Sequence, residues 1–361
     1  MQPLHAAKSV WLENSQREKY VMIYSGVFCL VMILPYFSHG EASVIPVYNF
    51  YLLLFGMPHN YLTWASIFSG GGTPLLTSRA FWIPIGVAFL AVVGLMGFPN
   101  GTVEVAILNL ITYVSLWHAY RQHHGICKVY DAVQAQRMGD SSIFSDRKIL
   151  NVFLLFSLFS VLIWAFTQEE VRFLLSADAQ YNLWYPRLPH RFFVLWVVVT
   201  AVLGIWGVKR AYWDRWRQGK YLPIPQGATM LVATLTYVVP YFYLPLSALP
   251  ISIAIGTMYH NIQYFGFVWL YEKNYAHVRQ AEGGDLSHLQ TISYQGDWKR
   301  YFSYAFLYSL SIFLLYGLLP HHWMLPVIYF LAFSHYLVDG VMWQKKHNGN
   351  LSPVLRRLAD A

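Results

Sequence analysis

Charge is the first thing this chain has little of. Only 12% of its 361 residues are Asp, Glu, Lys or Arg, whereas a soluble domain carries about a quarter. At the same time 56% of residues are hydrophobic and mean hydropathy is +0.37, which excludes an ordinary soluble globular surface. Cysteine is scarce too. Cys29 and Cys127 fall in or beside different apolar runs, so a disulfide framework and a CxxC metal site are both excluded. Cys127 reads as a small buried residue and not as a thiolate ligand. There is no Gly-rich phosphate loop and no nucleophile elbow; GGGT at 70–73 is a bare turn.

What is present is a series of apolar runs near the roughly 20 residues needed to cross a hydrocarbon core. Ten are expected: 19–38, 47–69, 80–98, 102–126, 149–166, 192–208, 228–243, 247–271, 301–319 and 323–343. The fold class is therefore all-α, a polytopic transmembrane helix bundle. A leader, 1–18, has no small-x-small cleavage site after it, so the first run reads as a retained anchor. A single transmembrane domain, 19–344, is interrupted by polar segments at 128–148, 168–190, 209–226 and 272–299, and a basic tail occupies 345–361. Pro99-Asn100-Gly101 reads as a tight helical hairpin.

Charge placement tests that count. With ten spans and the amino terminus inside, all but Arg172, Arg187 and Arg191 of the 25 Lys and Arg fall on or just within the cytoplasmic side. The turns after runs one, three, seven and nine carry none, as the positive-inside rule requires. Both termini are expected in the cytoplasm, and a bacterial inner membrane is the expected location. The interleaved basic and aromatic residues at 211–223, AYWDRWRQGKYLP, suit a helix end among headgroups. The net charge of +8 follows from this asymmetry and from anionic lipid, so no nucleic-acid partner is needed.

The same topology aligns four histidines. His59, His118, His260 and His335 lie in runs two, four, eight and ten, each about 8 to 11 residues before the cytoplasmic end, or roughly 12 to 17 Å deep at 1.5 Å per residue. Ionisable groups at membrane depth are costly and are functional candidates by default. Single intramembrane histidines often serve as helix–helix contacts, but four at one level point to convergence on a metal. Gln122 follows His118 by one turn, Gln263 and Tyr264 follow His260, and Asp339 follows His335; residues three or four apart share a helix face. Asn60, Asn261 and Gln263 are candidates to orient the rings, as partners of ligating imidazoles commonly do. Asp339 and Glu104 are the only carboxylates inside the runs, and Glu104 sits at the outer end of its run, so Asp339 is the candidate carboxylate ligand or general base; Gln122 and Tyr264 join it as candidate reactive groups.

His123 and His124 lie about 140° and 240° around an ideal helix from His118. Either the helix unwinds at Gly125, or one of the two joins the cluster. Met-x-His-Asn occurs in both runs two and eight. His190, His321 and His322 fall outside the membrane, and His5, His277, His288 and His347 in polar segments. Imidazole with carboxylate and no thiolate suits iron, one or two non-haem ions, with zinc or copper as alternatives. The aromatic content of 18% suits a pocket for a lipophilic or aromatic substrate. The expected activity is a dioxygen-using oxidoreductase, a hydroxylase, desaturase or dioxygenase, fed by a cytoplasmic electron donor. The rival expectations are a proton-coupled transporter using the histidines and Asp339 as a relay, and a bis-histidine haem protein.

His118-x4-His123-His124 resembles the histidine boxes of the integral-membrane fatty-acid desaturases and hydroxylases, whose further HxxHH-type boxes this chain lacks. Single histidines scattered over several runs, with Pro58-His59 in the second, resemble the Brp/Blh membrane carotene-cleaving dioxygenases. Both resemblances imply iron and an apolar substrate.

Overall fold

The computed structural model describes residues 11–12, 15–69, 71, 73–97, 102–169, 172–174, 180–182, 184–245, 248–344 and 347–360. Most of the leader with His5, the Pro99-Asn100-Gly101 turn, and Gly70 and Gly72 of the GGGT turn lie outside the described residues, as do the side chains of Glu104, Arg172, His321 and His322. The fold is helical, and five helical stretches are long and apolar enough to cross a membrane: Gln16–Phe68, Arg79–Gly97, Ile143–Ala165, His190–Arg217 and Trp298–Leu318. The first of these is interrupted at Gly40, whose φ of 57° ends one helix before a short 3-10 turn at Gly40–Ser43 begins the next. These apolar helices turn large side chains outward: Leu90 and Ile205 are 69% and 73% exposed. Exposed faces of that kind are the signature of a helix solvated by lipid.

Two expectations need correction. Gly125 does not break its helix: Thr102–Met138 is one continuous helix of 37 residues. A lone glycine costs only about 1 kcal/mol in a helix interior, and the neighbouring turns outweigh it. Likewise Leu249–Ala281 runs for 33 residues, well past the apolar stretch. Much of the segments 128–148 and 272–299 is therefore helix that outlasts its apolar run. The 168–190 connection carries the one pair of strands among the described residues, Arg172–Leu174 paired antiparallel with Gln180–Asn182.

The chain forms two compact units. The first takes the residues up to Val44, Gln122–His260, and the residues from Leu358 onward. Its Lys148–Ala165 helix packs against both His190–Val208 and Ile224–Tyr243. Trp196 stacks on Phe156 at 4.3 Å and its indole N–H donates to the Phe156 carbonyl at 3.0 Å. Two fully buried arginines are paired, as buried charge must be. Arg147 donates to Asp131 at 2.5 Å and to Asn151 at 2.9 Å. Arg215 donates to Asp140 at 2.7 Å and to Asp146 at 2.8 Å.

A third arginine, Arg137, near the end of its helix, gathers four backbone carbonyls: Trp11 at 2.7 Å, Leu12 at 2.9 Å, Leu358 at 2.5 Å and Ala359 at 3.0 Å. The last two belong to the Leu351–Asp360 helix, which buries Leu351, Val354, Leu355 and Leu358 and exposes Arg356 and Arg357. A guanidinium at terminal carbonyls satisfies orphan acceptors and complements the helix dipole. Hydrogen bonds to a charged group contribute about 1.5–3 kcal/mol each. Arg137→Ala is therefore expected to release this helix, with the C-terminal segment cleaved by added protease at least about tenfold faster than in wild type. An unchanged cleavage rate would show that apolar packing alone holds it.

The second unit takes Ile45–Arg121 and Asn261–Arg357. Here His321–Met342 packs on Arg79–Gly97, and Trp298–Leu318 packs on Met57–Ser69. Leu62, Ile67, Phe81, Tyr264, Val268 and Met342 share its core. At its polar end Gly71 lies against Tyr271 so closely that a Cβ would sit 2.3 Å from the phenol oxygen. The Gly71 carbonyl accepts from Tyr271 at 3.2 Å and from Asn350 at 2.9 Å, fastening the turn that follows the Met57–Ser69 helix.

Candidate metal centre

The second unit collects His59, His118, Tyr264, His335 and Asp339, supplied by four helices, and buries all of them. The His59 ring stands edge-on to His335, centroids 4.4 Å apart, and 6.0 Å from His118; His118 and His335 are 4.8 Å apart. His118, His335 and Asp339 each turn one ligand atom to a common point, the three atoms lying within 4.8 Å of one another. His118 Nε2 is 4.0 Å from Asp339 Oδ2. Two donors on one ion, at about 2.0–2.2 Å each, stand at most about 4.4 Å apart, so small side-chain rotations close the set. Neither ring nitrogen of His335 has a hydrogen-bond partner among the described residues. A buried unpartnered polar atom costs about 1–3 kcal/mol, and such an atom in a native core calls for an explanation such as an ion.

The two oxygens of Asp339 are treated differently. Oδ1 accepts from the Tyr264 hydroxyl at 2.6 Å, from the Trp343 indole N–H at 3.2 Å and from the Thr63 hydroxyl at 3.3 Å. Thr63 and Tyr264 are themselves 2.7 Å apart. With Oδ1 held by three donors, Oδ2 is the oxygen turned to His118. This is how partners outside the coordination sphere fix a ligating carboxylate. Nothing local in the sequence marks Thr63 and Trp343, although each lies four residues, one helical turn, after a candidate ligand, His59 and Asp339. Asn60, Asn261 and Gln263 are all buried.

His260, Gln122, His123 and His124 belong to the first unit. There the His123 ring lies 5.6 Å from His260 and stacks on Tyr259 at 5.6 Å, with Tyr237 edge-on at 6.1 Å. His123 is fully buried and His124 half-buried. The Gln122 amide donates to the His260 carbonyl at 2.8 Å, which ties the Thr102–Met138 helix to Leu249–Ala281. Cys29 and Cys127 are buried and unbridged.

Imidazole nitrogen with one carboxylate and no sulfur is a donor set that non-haem iron and zinc both accept. The molecule is thus a helical protein with membrane-type helices and a buried histidine–aspartate group able to hold a metal ion. Comparison with protein-family models, with curated proteins and with solved structures gives no match.

Proposed function

We propose that the protein is an integral-membrane metalloenzyme that uses one non-haem iron and dioxygen to oxidise a lipophilic small molecule. The reading is carried by one observation: His118, His335 and Asp339 offer two nitrogens and one oxygen to a common point, while Tyr264, Thr63 and Trp343 hold the other oxygen of Asp339. Two histidines and one carboxylate leave coordination positions open, the arrangement found where iron activates dioxygen. His59, edge-on to His335, is the candidate for a further ligand.

When bound, the iron would supply the redox chemistry; the chain supplies placement and exclusion of water. Burial of all three ligands keeps bulk water from the site and strengthens the electrostatic grip of the carboxylate. Tyr264 is the nearest O–H to the ligating carboxylate, and its oxygen can accept from the Thr63 hydroxyl, 2.7 Å away. The protein is read as ten spans with both termini in the cytoplasm of a bacterium, its basic cytoplasmic face receiving an electron donor. The support for that topology is the placement of Lys and Arg.

Elemental analysis and an absorption spectrum of the purified protein test the reading together. The expected result is near-stoichiometric iron without a Soret band. A Soret band would make it a haem protein, and metal-free protein purified from iron-replete cells would favour a proton-coupled transporter.

A further inference from the structure

Glu272, in the second unit, is a carboxylic acid in a place that offers it no opposite charge. It stands in the first turn beyond the apolar run 247–271, yet only 3% of it is exposed. Its Oε1 accepts from the Gly71 N–H at 3.4 Å, and the Ser66 hydroxyl lies against the same carboxyl. The phenols of Tyr271, Tyr275 and Tyr301 are the titratable groups close enough to feel its charge, and no Lys or Arg is paired with it among the described residues. A buried carboxylate without a cation neutralises itself by holding a proton. Burial accordingly pushes the Glu272 carboxyl up to about 7.

From this acid a column of buried hydroxyls leads to the metal centre. Tyr264 precedes Glu272 on the Leu249–Ala281 helix by eight residues, about 12 Å along the axis. On the Met57–Ser69 helix, His59, Thr63 and Ser66 share one face at spacings of four and three, and all are buried. Tyr264 gives its single hydrogen to Asp339 Oδ1 at 2.6 Å, so in the 2.7 Å contact with Thr63 the threonine is the donor. The Thr63 oxygen is then able to accept from the Ser66 side. The Ser66 hydroxyl lies against both Glu272 and Tyr301 without a well-aligned bond to either, so it can turn between partners. Thr63 and Ser66 are about 5–6 Å apart between Cβ atoms, a step that one bridging water spans.

We propose that Glu272 delivers protons to the metal centre: it takes a proton from water at its end of the helix, cytoplasmic in the topology above, and passes one through Ser66 and Thr63 to the Tyr264 hydroxyl. Each hydroxyl accepts one proton at its oxygen and releases its own. No hydroxyl gains or loses a proton overall, one proton has moved inward, and the ionised Glu272 takes up another from water. The use of that proton rests on the metalloenzyme proposed above; its route does not.

The whole protein in phosphatidylcholine nanodiscs is transferred from H2O to D2O and followed by infrared spectroscopy, with iron measured on the same samples. The Tyr264 C–OH band is assigned by its loss in Tyr264→Phe, and the Glu272 acid C=O band by its loss in Glu272→Gln. The Glu272 band is expected to fade as pH rises through about 7, where the ionised form takes over. Deuteration at Tyr264 should slow at least about tenfold in Glu272→Gln, because a positioned proton carrier has been removed. Ser66→Ala should slow it too, and carries the test if the first variant fails to fold. Glu272→Asp, still an acid, should recover most of the rate, with backbone amide exchange unchanged throughout. Equal Tyr264 rates in wild type, Glu272→Gln and Ser66→Ala overturn the route. A Glu272 band already gone at about pH 5, near the ordinary carboxyl range, overturns the proton carrier. Slowing that Glu272→Asp does not relieve, or that backbone amides share, makes Glu272 a structural residue. Glu272-dependent exchange in a protein that holds no iron would sink the oxidoreductase and leave the proton route standing.

Discussion

His335→Ala is expected to leave the protein inserted in the membrane and to remove its metal, lowering metal affinity more than about 100-fold. Loss of a partner outside the coordination sphere already costs about 10–100-fold, and loss of one of three protein ligands must cost more. His118→Ala should behave alike. His335→Leu separates a ligand from a merely structural ring. If His335 only filled space, leucine would remove two buried nitrogens that lack partners among the described residues, each costing about 1–3 kcal/mol. The protein would then melt at the same or a higher temperature and keep its metal. If His335 is a ligand, the metal goes whatever happens to the melting temperature. Competition against a graded series of chelators reads the affinity. Full occupancy in either alanine variant would strike that residue from the ligand set.

Why those residues could be named at all is a matter of periodicity and cost. Helices Arg79–Gly97, Lys148–Ala165 and His190–Val208 follow the apolar runs to within a few residues, because hydropathy reports the same lipid-facing surface that the helix builds. His59, His118 and His335 are legible because a polar group in an apolar run needs a reason and their similar depth supplies one, and Asp339 because it follows His335 by one turn. Hydropathy reports where an apolar run ends and not where a helix ends. That is why Thr102–Met138 and Leu249–Ala281 outrun their expected spans, and a break at Gly125 is more than one glycine imposes. The three-residue strands after residue 171 are too short to leave an alternating pattern. Thr63 and Trp343 carry no local signal for a different reason. Threonine and tryptophan are common in such runs, and only the pairing of distant helices turns them toward one oxygen of Asp339. The grouping of His123 with His260 and Tyr259 likewise depends on a packing that no local pattern encodes.

Tyr264→Phe is the second large effect, expected to weaken metal binding about tenfold with the fold intact. The ring that stands 4.3 Å edge-on to His59 is kept, so packing changes little. What is lost is the shortest of the three hydrogen bonds to Asp339 Oδ1, at 2.6 Å. Without it the carboxylate can rotate and offer either oxygen, and part of the binding energy is spent in ordering it. Thr63→Val and Trp343→Phe remove longer bonds, 3.3 Å and 3.2 Å, and should each cost less. Thr63 and Tyr264 also bond to each other, so their double variant should fall short of the sum of the singles. A merely structural tyrosine predicts otherwise: a lower melting temperature with unchanged metal affinity. Asp339→Asn sharpens the choice. It keeps the shape and removes the charge, and metal should be lost as completely as in the histidine variants. If the asparagine variant binds metal as tightly as wild type, the carboxylate is not a ligand, and the three donors around Oδ1 serve the core alone.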